Sequence, residues 1–214
     1  MLSPGHNSKG MSLVEILVAV AILAILLAAA APDFSSWIQN TKIRNAAEAM
    51  QNGLNLAKSE AVHRNTVAQF VSCAGSSWDV IAASSTASTN VCASGTATAG
   101  WARVQNRSAQ EGSNNALVDT TQSTIGFSGM GRQASTTDIA SAAATPSPPV
   151  AVDFNISASL AGAACFCPAG TCGYPVAITY SSTGKLRCLR VSVSSGGQIR
   201  MCDPALAAGT PQGC

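Results

Sequence analysis

A run of apolar residues from Met11 to Ala31, carrying one carboxylate at Glu15, limits this chain more than any other feature. From Ile16 to Ala31 there is no charge and no strongly polar side chain. As a helix the run would extend about 31 Å, against a hydrocarbon core of roughly 30 Å. A carboxylate at the head of such a helix costs roughly 2–3 kcal/mol in a bilayer even on lenient insertion scales. A charge placed there implies a partner met after the helix leaves the lipid. The competing reading is a secretory signal peptide, with His6 and Lys9 as a weak basic region and Ala28-Ala29-Ala30 as a cleavage site. The run is longer than a usual signal core, it contains Glu15, and the helical pattern does not stop at its end.

Beyond Pro32 apolar residues recur at Phe34, Trp37, Ile38, Ile43, Ala46, Ala47, Met50, Leu54, Ala57 and Ala61. From Ile43 the three-and-four spacing marks one buried stripe, with Lys42, Glu48, Gln51, Asn55 and Ser59 on the other side. Glu60 and Arg64 form an i,i+4 pair in the favourable order. Pro32 lacks an N–H and crowds the preceding turn, so a bend or local loosening is expected there. One long helix is therefore expected, apolar all round in its first half and amphipathic in its second.

The lone carboxylate and its neighbours also carry a resemblance. Gly10, Met11, Ser12, Leu13 and Glu15 resemble the class III signal of type IV pilins and of type II secretion pseudopilins. The resemblance implies that prepilin peptidase cuts between Gly10 and Met11, removing residues 1–10 and methylating Met11. It implies that Glu15 pairs with the terminal amine of a neighbouring subunit during assembly, and that Pro32 is a helix-bending proline. Met11 stands where phenylalanine is commoner in the family. Further marks resemble the GspH/FimT family of minor pilins: Leu54, Ala57-Lys58-Ser59-Glu60-Ala61-Val62, Arg64-Asn65, Trp78, Gly100-Trp101, Ile125-Gly126-Phe127 with Gly129 and Gly131, and Val191-Ser192 leading to Gly196-Gly197-Gln198-Ile199-Arg200.

The remaining composition suits an exported subunit. Charged residues make up 10% of the chain, against roughly 25% in ordinary soluble domains, so Ser, Thr, Asn and Gln must supply the polar surface. Residues Ala82–Ala99 and Gln133–Pro149 read as long surface loops, with Ala144–Pro149 a stiff connector. Short β-like runs are expected at Thr66–Cys73, Trp78–Ala82, Trp101–Val104, Thr124–Phe127, Pro175–Tyr180, Leu186–Val193 and Gln198–Cys202. The expected fold is α+β and pilin-like: residues 11–31 form the membrane and assembly half of the helix. Residues 32–65 form its amphipathic half, packed on one disulfide-bonded antiparallel β-rich domain over 66–214.

Eight cysteines, at 73, 92, 165, 167, 172, 188, 202 and 214, go with an export segment and point to disulfides in the periplasm. Cys188 and Cys202 are symmetric about Ser195, and a hairpin turn at Ser194-Ser195-Gly196-Gly197 would bring them face to face. Cys73–Cys92, closing the first loop, is a second expected pair. The connectivity of Cys165, Cys167, Cys172 and Cys214 cannot be read. Three thiols within Cys165–Cys172 do not have zinc spacing, so no metal is expected, and no cofactor either.

Catalysis finds no footing. His63 is a helix-end residue with no nucleophile placed beside it. Gly126, Gly129 and Gly131 do not make a phosphate-binding fingerprint. The sequons at Asn106 and Asn155 suggest accessible loops.

Charge gives one further expectation. The chain carries 12 basic and 10 acidic residues, and losing Lys9 with the leader leaves near balance. From Phe154 onward Lys185, Arg187, Arg190 and Arg200 meet only Asp203. Some GspH/FimT members bind DNA during natural transformation through a C-terminal glycine followed by two arginines. Here Gly197-Gln198-Ile199-Arg200 keeps one of the two, with Arg187 and Arg190 able to compensate.

The resemblance thus implies a minor pilin acting in pilus initiation or tip assembly. It would be held in the inner membrane with a periplasmic domain and then drawn into the filament. Its partners would be other minor and major pilins or pseudopilins and the prepilin peptidase. A type II secretion pseudopilin and a DNA-uptake pilin are the alternatives.

Overall fold

The computed structural model describes residues 11–92, 97–134, 149–158, 164–167, 178–207 and 209–214. Gly10, Cys172, residues 144–148 of the expected connector and 175–177 of an expected strand lie outside them. The chain divides into two compact units, one ending at Ile38 and the other running from Gln39 to Cys214.

Helix α1 spans Leu13–Arg64 and runs through Pro32. Ser12 stands at its N-cap, its carbonyl accepting from the Ile16 amide at 3.2 Å, and Glu15 lies in the first turn. That is where the helix dipole favours a negative charge. In the first unit, none of the eighteen-residue apolar window Leu13–Ala30 is buried.

In the second unit the expected stripe is the buried one. Ile43, Ala46, Ala47, Met50, Leu54, Ala57 and Ala61 are each at most 1% exposed. The helix ends in a Schellman turn: Thr66 N–H donates to Ala61 O at 3.1 Å and Asn65 N–H to Val62 O at 3.2 Å. Asn65 takes the left-handed conformation that this stop requires, φ +48°. On the solvent side Arg64 and Glu60 pair at 2.7 Å, as their spacing predicts.

Two antiparallel sheets meet this stripe. The strands are β1 Ala68–Ser72, β2 Trp78–Asn90, β3 Ala97–Arg107, β4 Ala116–Thr120 and β5 Thr124–Phe127. They continue with β6 Val152–Ala158, β7 Cys165–Phe166, β8 Tyr180–Ser181, β9 Leu189–Val193 and β10 Ile199–Cys202. One sheet has the order β3-β2-β1-β5 and the other β10-β9-β6-β4, while β7 and β8 form a short parallel pair.

The two sheets and the helix share one core. Phe70 of β1 meets Phe154 of β6 edge-on at 5.7 Å between ring centroids, and Trp78 at the same distance. Such contacts are worth about 0.5–1.5 kcal/mol each beyond the area they bury. Gly53 admits both rings to the helix, since a Cβ there would stand 2.8 Å from Phe70 Cε2 and 3.0 Å from Trp78 Cε2. A mid-helix glycine costs about 0.5–1 kcal/mol relative to alanine, and this close approach is what offsets it.

Three expectations change. Ala82–Ala99 is not a plain loop: β2 runs to Asn90 and β3 starts at Ala97, with Ser88↔Ala99, Thr89↔Thr98 and Asn90↔Ala97 paired beyond an irregularity after Ala83. Neither sequon asparagine is in a loop: Asn155 is 6% exposed at the centre of β6, and Asn106, though exposed, lies in β3. The third concerns the β9–β10 hairpin. Its register pairs Ile199 with Val193 and Cys202 with Arg190, so the symmetry centre is Gly196, not Ser195. The turn decides this. Gly197 N–H donates to Ser194 O at 2.8 Å and Ser194 N–H to Gln198 O at 2.9 Å. With Gly197 at φ +80°, this is a three-residue loop, a type I turn followed by a left-handed glycine.

The register change separates Cys188 from Cys202. Cys188 is joined to Cys165 and Cys202 to Cys214, while Cys73 is joined to Cys92. Cys188 precedes β9 and turns into the core, fully buried, where the β7 segment comes alongside: Leu186 and Cys165 form an isolated bridge. Cys202 lies on the same face as its cross-strand neighbour Arg190, and the C-terminal segment reaches over to it.

Candidate assembly helix and basic hairpin

The candidate residues fall into the two units. In the first, Met11, Glu15 and the apolar face from Leu13 to Leu27 are exposed, Leu13 at 76% and Ile25 at 70%. A helix with no buried side in its own chain must be covered by lipid or by other helices. Its chemistry is burial of area, with Glu15 as its one charge.

In the second unit Lys185, Arg187 and Arg200 are exposed and Arg190 is half-buried, and the three arginines are held by partners in their own chain. Arg187 Nε donates to Asp203 Oδ2 at 2.9 Å, and Asp203 is only 4% exposed. Arg190, with a side chain 14% exposed, donates from Nε to Asn155 Oδ1 at 2.7 Å and lies 3.5 Å from Asp153. Arg200 Nη2 donates to the Gly213 carbonyl. Lys185 is exposed, and its carbonyl accepts from Asn40 Nδ2 at 3.1 Å. By register, Arg190 and Arg200 share the outer face of the β10-β9-β6-β4 sheet, since Cys202 faces Arg190 and Ser192 faces Arg200. The C-terminal segment crosses that face, bonded to Arg200 through Gly213 and to Cys202 through Cys214.

Two residues organise this region: Asp203, the one carboxylate among the four cations, and Asn40, which the sequence did not mark. Asn40 uses both ends of its amide on one backbone segment, accepting from Arg187 N–H at 2.8 Å while donating to Lys185 O. Asp203 holds Arg187 with one oxygen and the Ala205 amide with the other, at 2.8 Å. A lone carboxylate among four cations was a visible signal for Asp203; nothing local marked Asn40.

The scattered motif residues converge elsewhere. Lys58 Nζ donates to Gly197 O at 2.9 Å, and Gly131 lies against Lys58 and Val62, while Gly129 lies against Asn65. Gly197 in turn packs on the backbone of Gly131 and Arg132. The helix end, the turn after β5 and the β9–β10 turn thus meet through glycines, of which Gly129 and Gly197 leave no room for a Cβ. Their geometry is that of a joint in the fold.

Among the described residues one cluster has the composition of a metal site. Cys73, Asp79 and Cys92 bring three ligand atoms within 4.8 Å of one another, but the two sulfurs are bonded to each other. Asp79 accepts from the Cys92 amide and lies 3.5 Å from Arg103. His63 is exposed in the last helical turn, where the helix dipole favours a cation.

Comparison with known proteins adds the family. A family model described as the prokaryotic N-terminal methylation motif matches residues 5–31. A second, described as type II transport protein GspH, matches residues 46–159, more than half of the chain. Two crystal structures of the Pseudomonas aeruginosa (strain PAO1) type IV minor pilin FimU are similar at 17% identity. They cover 78% of this chain, and the matches extend over 92% and 97% of theirs, with TM-scores of 0.41 and 0.40. No curated protein sequence matches. The two family matches place the methylation motif on the apolar helix and the GspH domain on the helix from Ala46 and strands β1 to β6: the chain belongs to the GspH family of type IV minor pilins and pseudopilins, structural subunits that assemble with other pilins after processing by prepilin peptidase.

Proposed function

We propose that this protein is a minor subunit of a type IV pilus, acting at initiation or at the tip. The observation that carries the reading is the wholly exposed apolar window Leu13–Ala30 with Glu15 in its first turn. Such a helix is stable in lipid while the subunit waits in the inner membrane, and again among like helices in a filament. Cleavage falls between Gly10 and Met11, which makes Met11 a methylated amino terminus four residues before Glu15. Mass spectrometry of protein purified from membranes is expected to find a chain that begins at methylated Met11. A chain starting near Ala31 would overturn the reading in favour of a secreted soluble domain.

The description of the matched family favours a second reading, a pseudopilin of type II secretion. The same helix physics serves either filament. Deletion of the gene is expected to remove surface pili. Intact pili together with exported proteins retained in the periplasm would establish the secretion role instead.

DNA binding through Lys185, Arg187, Arg190 and Arg200 draws less support from the geometry. Arg187 and Arg190 each face a carboxylate, and Arg200 is tied to the C-terminal segment. Four phosphate contacts would give a salt slope near −4 on the B-DNA rule, and each cation kept by its own chain makes it shallower by about 1. The soluble part, measured across a salt series, is expected to show only weak binding with a shallower slope. A slope near −4 that vanishes in the Arg187→Ala/Arg190→Ala/Arg200→Ala variant would make this a DNA-uptake pilin.

A further inference from the structure

We infer that Phe34 and Trp37 form an aromatic anchor that fixes the depth of the helix at the lipid–water boundary before assembly. The inference rests on the membrane-held state proposed above. Phe34 is 61% exposed and Trp37 63% exposed, and their rings stack at 5.8 Å, one helical turn apart. Both belong to the first unit, on the same helix as the apolar window that ends at Ala30.

Helix geometry sets the level. At 1.5 Å per residue, Phe34 lies about 6 Å beyond Ala30 and Trp37 about 10 Å beyond it. The headgroup zone adds roughly 5–8 Å on each side of the hydrocarbon. Long helical side chains lean toward the N-terminus, so the Trp37 ring reaches back over the preceding turn, toward Phe34 and the membrane. Asp33, Ser35 and Ser36 occupy the same turns, which places this stretch outside hydrocarbon and among groups that can hydrogen-bond. An indole has an apolar body and one N–H donor, the chemistry favoured at that boundary. The partner is therefore a phospholipid surface.

The other two tryptophans make the anchor measurable, because Trp78 is 3% and Trp101 6% exposed within the second unit. The full chain and its Trp37→Phe variant would be reconstituted in phosphatidylethanolamine/phosphatidylglycerol vesicles. Bromine on the acyl chains would lie either near the headgroup or near the terminal methyl. The fluorescence difference between the two proteins reports Trp37 alone. That difference signal is expected to fall about twofold with shallow bromine and much less with deep bromine, as an interfacial ring requires. Stronger quenching by deep bromine would put the ring in hydrocarbon and overturn the anchor. So would a Trp37 signal that is unquenched at both depths while the protein floats with the vesicles, which would mean that protein covers the ring. Failure of both proteins to float with the vesicles would instead refute the membrane-held state itself.

Discussion

Replacing Glu15 with alanine is expected to leave membrane insertion and processing intact while lowering incorporation into filaments at least tenfold. The sign follows from two opposed terms. In the bilayer the carboxylate costs roughly 2–3 kcal/mol, so the alanine variant should insert at least as well as the natural chain. Among packed helices the same charge is proposed to meet a neighbour's terminal amine. Removing one partner of a buried ion pair costs about 3–5 kcal/mol, because the other charge is left uncompensated. Even the lower figure corresponds to more than a hundredfold in an equilibrium constant, since about 1.4 kcal/mol is tenfold. The check is the ratio of sheared-filament to membrane protein, with the Met11 terminus confirmed in both pools. Glu15→Gln should behave like alanine, because an amide keeps the size but not the charge. Normal incorporation of either variant would remove Glu15 from the assembly mechanism and leave it as a first-turn residue favoured by the helix dipole.

What could be read from the sequence followed the strength of its periodicity. The stripe from Ile43 to Ala61 repeats over several turns, and all seven of the residues it predicts are buried. Strands carry weaker signals. β6 alternates Val152, Phe154 and Ile156 toward the core, a visible period of two, yet the Asn155-Ile156-Ser157 sequon pointed to a loop. The outer half of the β2–β3 hairpin is Ala, Ser and Thr, which hold no apolar pattern to mark a strand; pairing along the backbone forms it. Disulfide partners were the least legible, because eight cysteines allow 105 complete pairings. A two-residue change in the sum of paired positions was enough to part Cys188 from Cys202. The basic hairpin shows the same limit, since composition counted the charges while Asp203, Asn155 and Gly213 decide what they touch.

The turn that set that register also gives a large expected stability effect in the β unit. Gly197→Ala should lower unfolding stability by about 3 kcal/mol, whereas Gly196→Ala, one residue away, should change it by less than about 0.5 kcal/mol. At Gly197 the backbone has φ +80°, where a Cβ costs roughly 1–2 kcal/mol by itself. A Cβ there would also meet the Gly131 carbonyl oxygen and stand 3.1 Å from Arg132 Cα, both backbone atoms that cannot rotate away. Relieving that overlap costs a further 1–3 kcal/mol on the scale of overpacked cores, about the size of the first term. It would also displace the Gly197 carbonyl from Lys58 Nζ, 2.9 Å away. At Gly196 the nearest atom to a new Cβ is Ser194 Oγ at 3.8 Å, an ordinary contact. Thermal unfolding of the soluble part with its disulfides intact should show Gly197→Ala melting about 6–12 °C lower. Equal melting temperatures for the two variants would mean that the helix end, the turn after β5 and the β9–β10 turn are not held together by backbone contact, and the glycines in the motif would then need a role outside the fold.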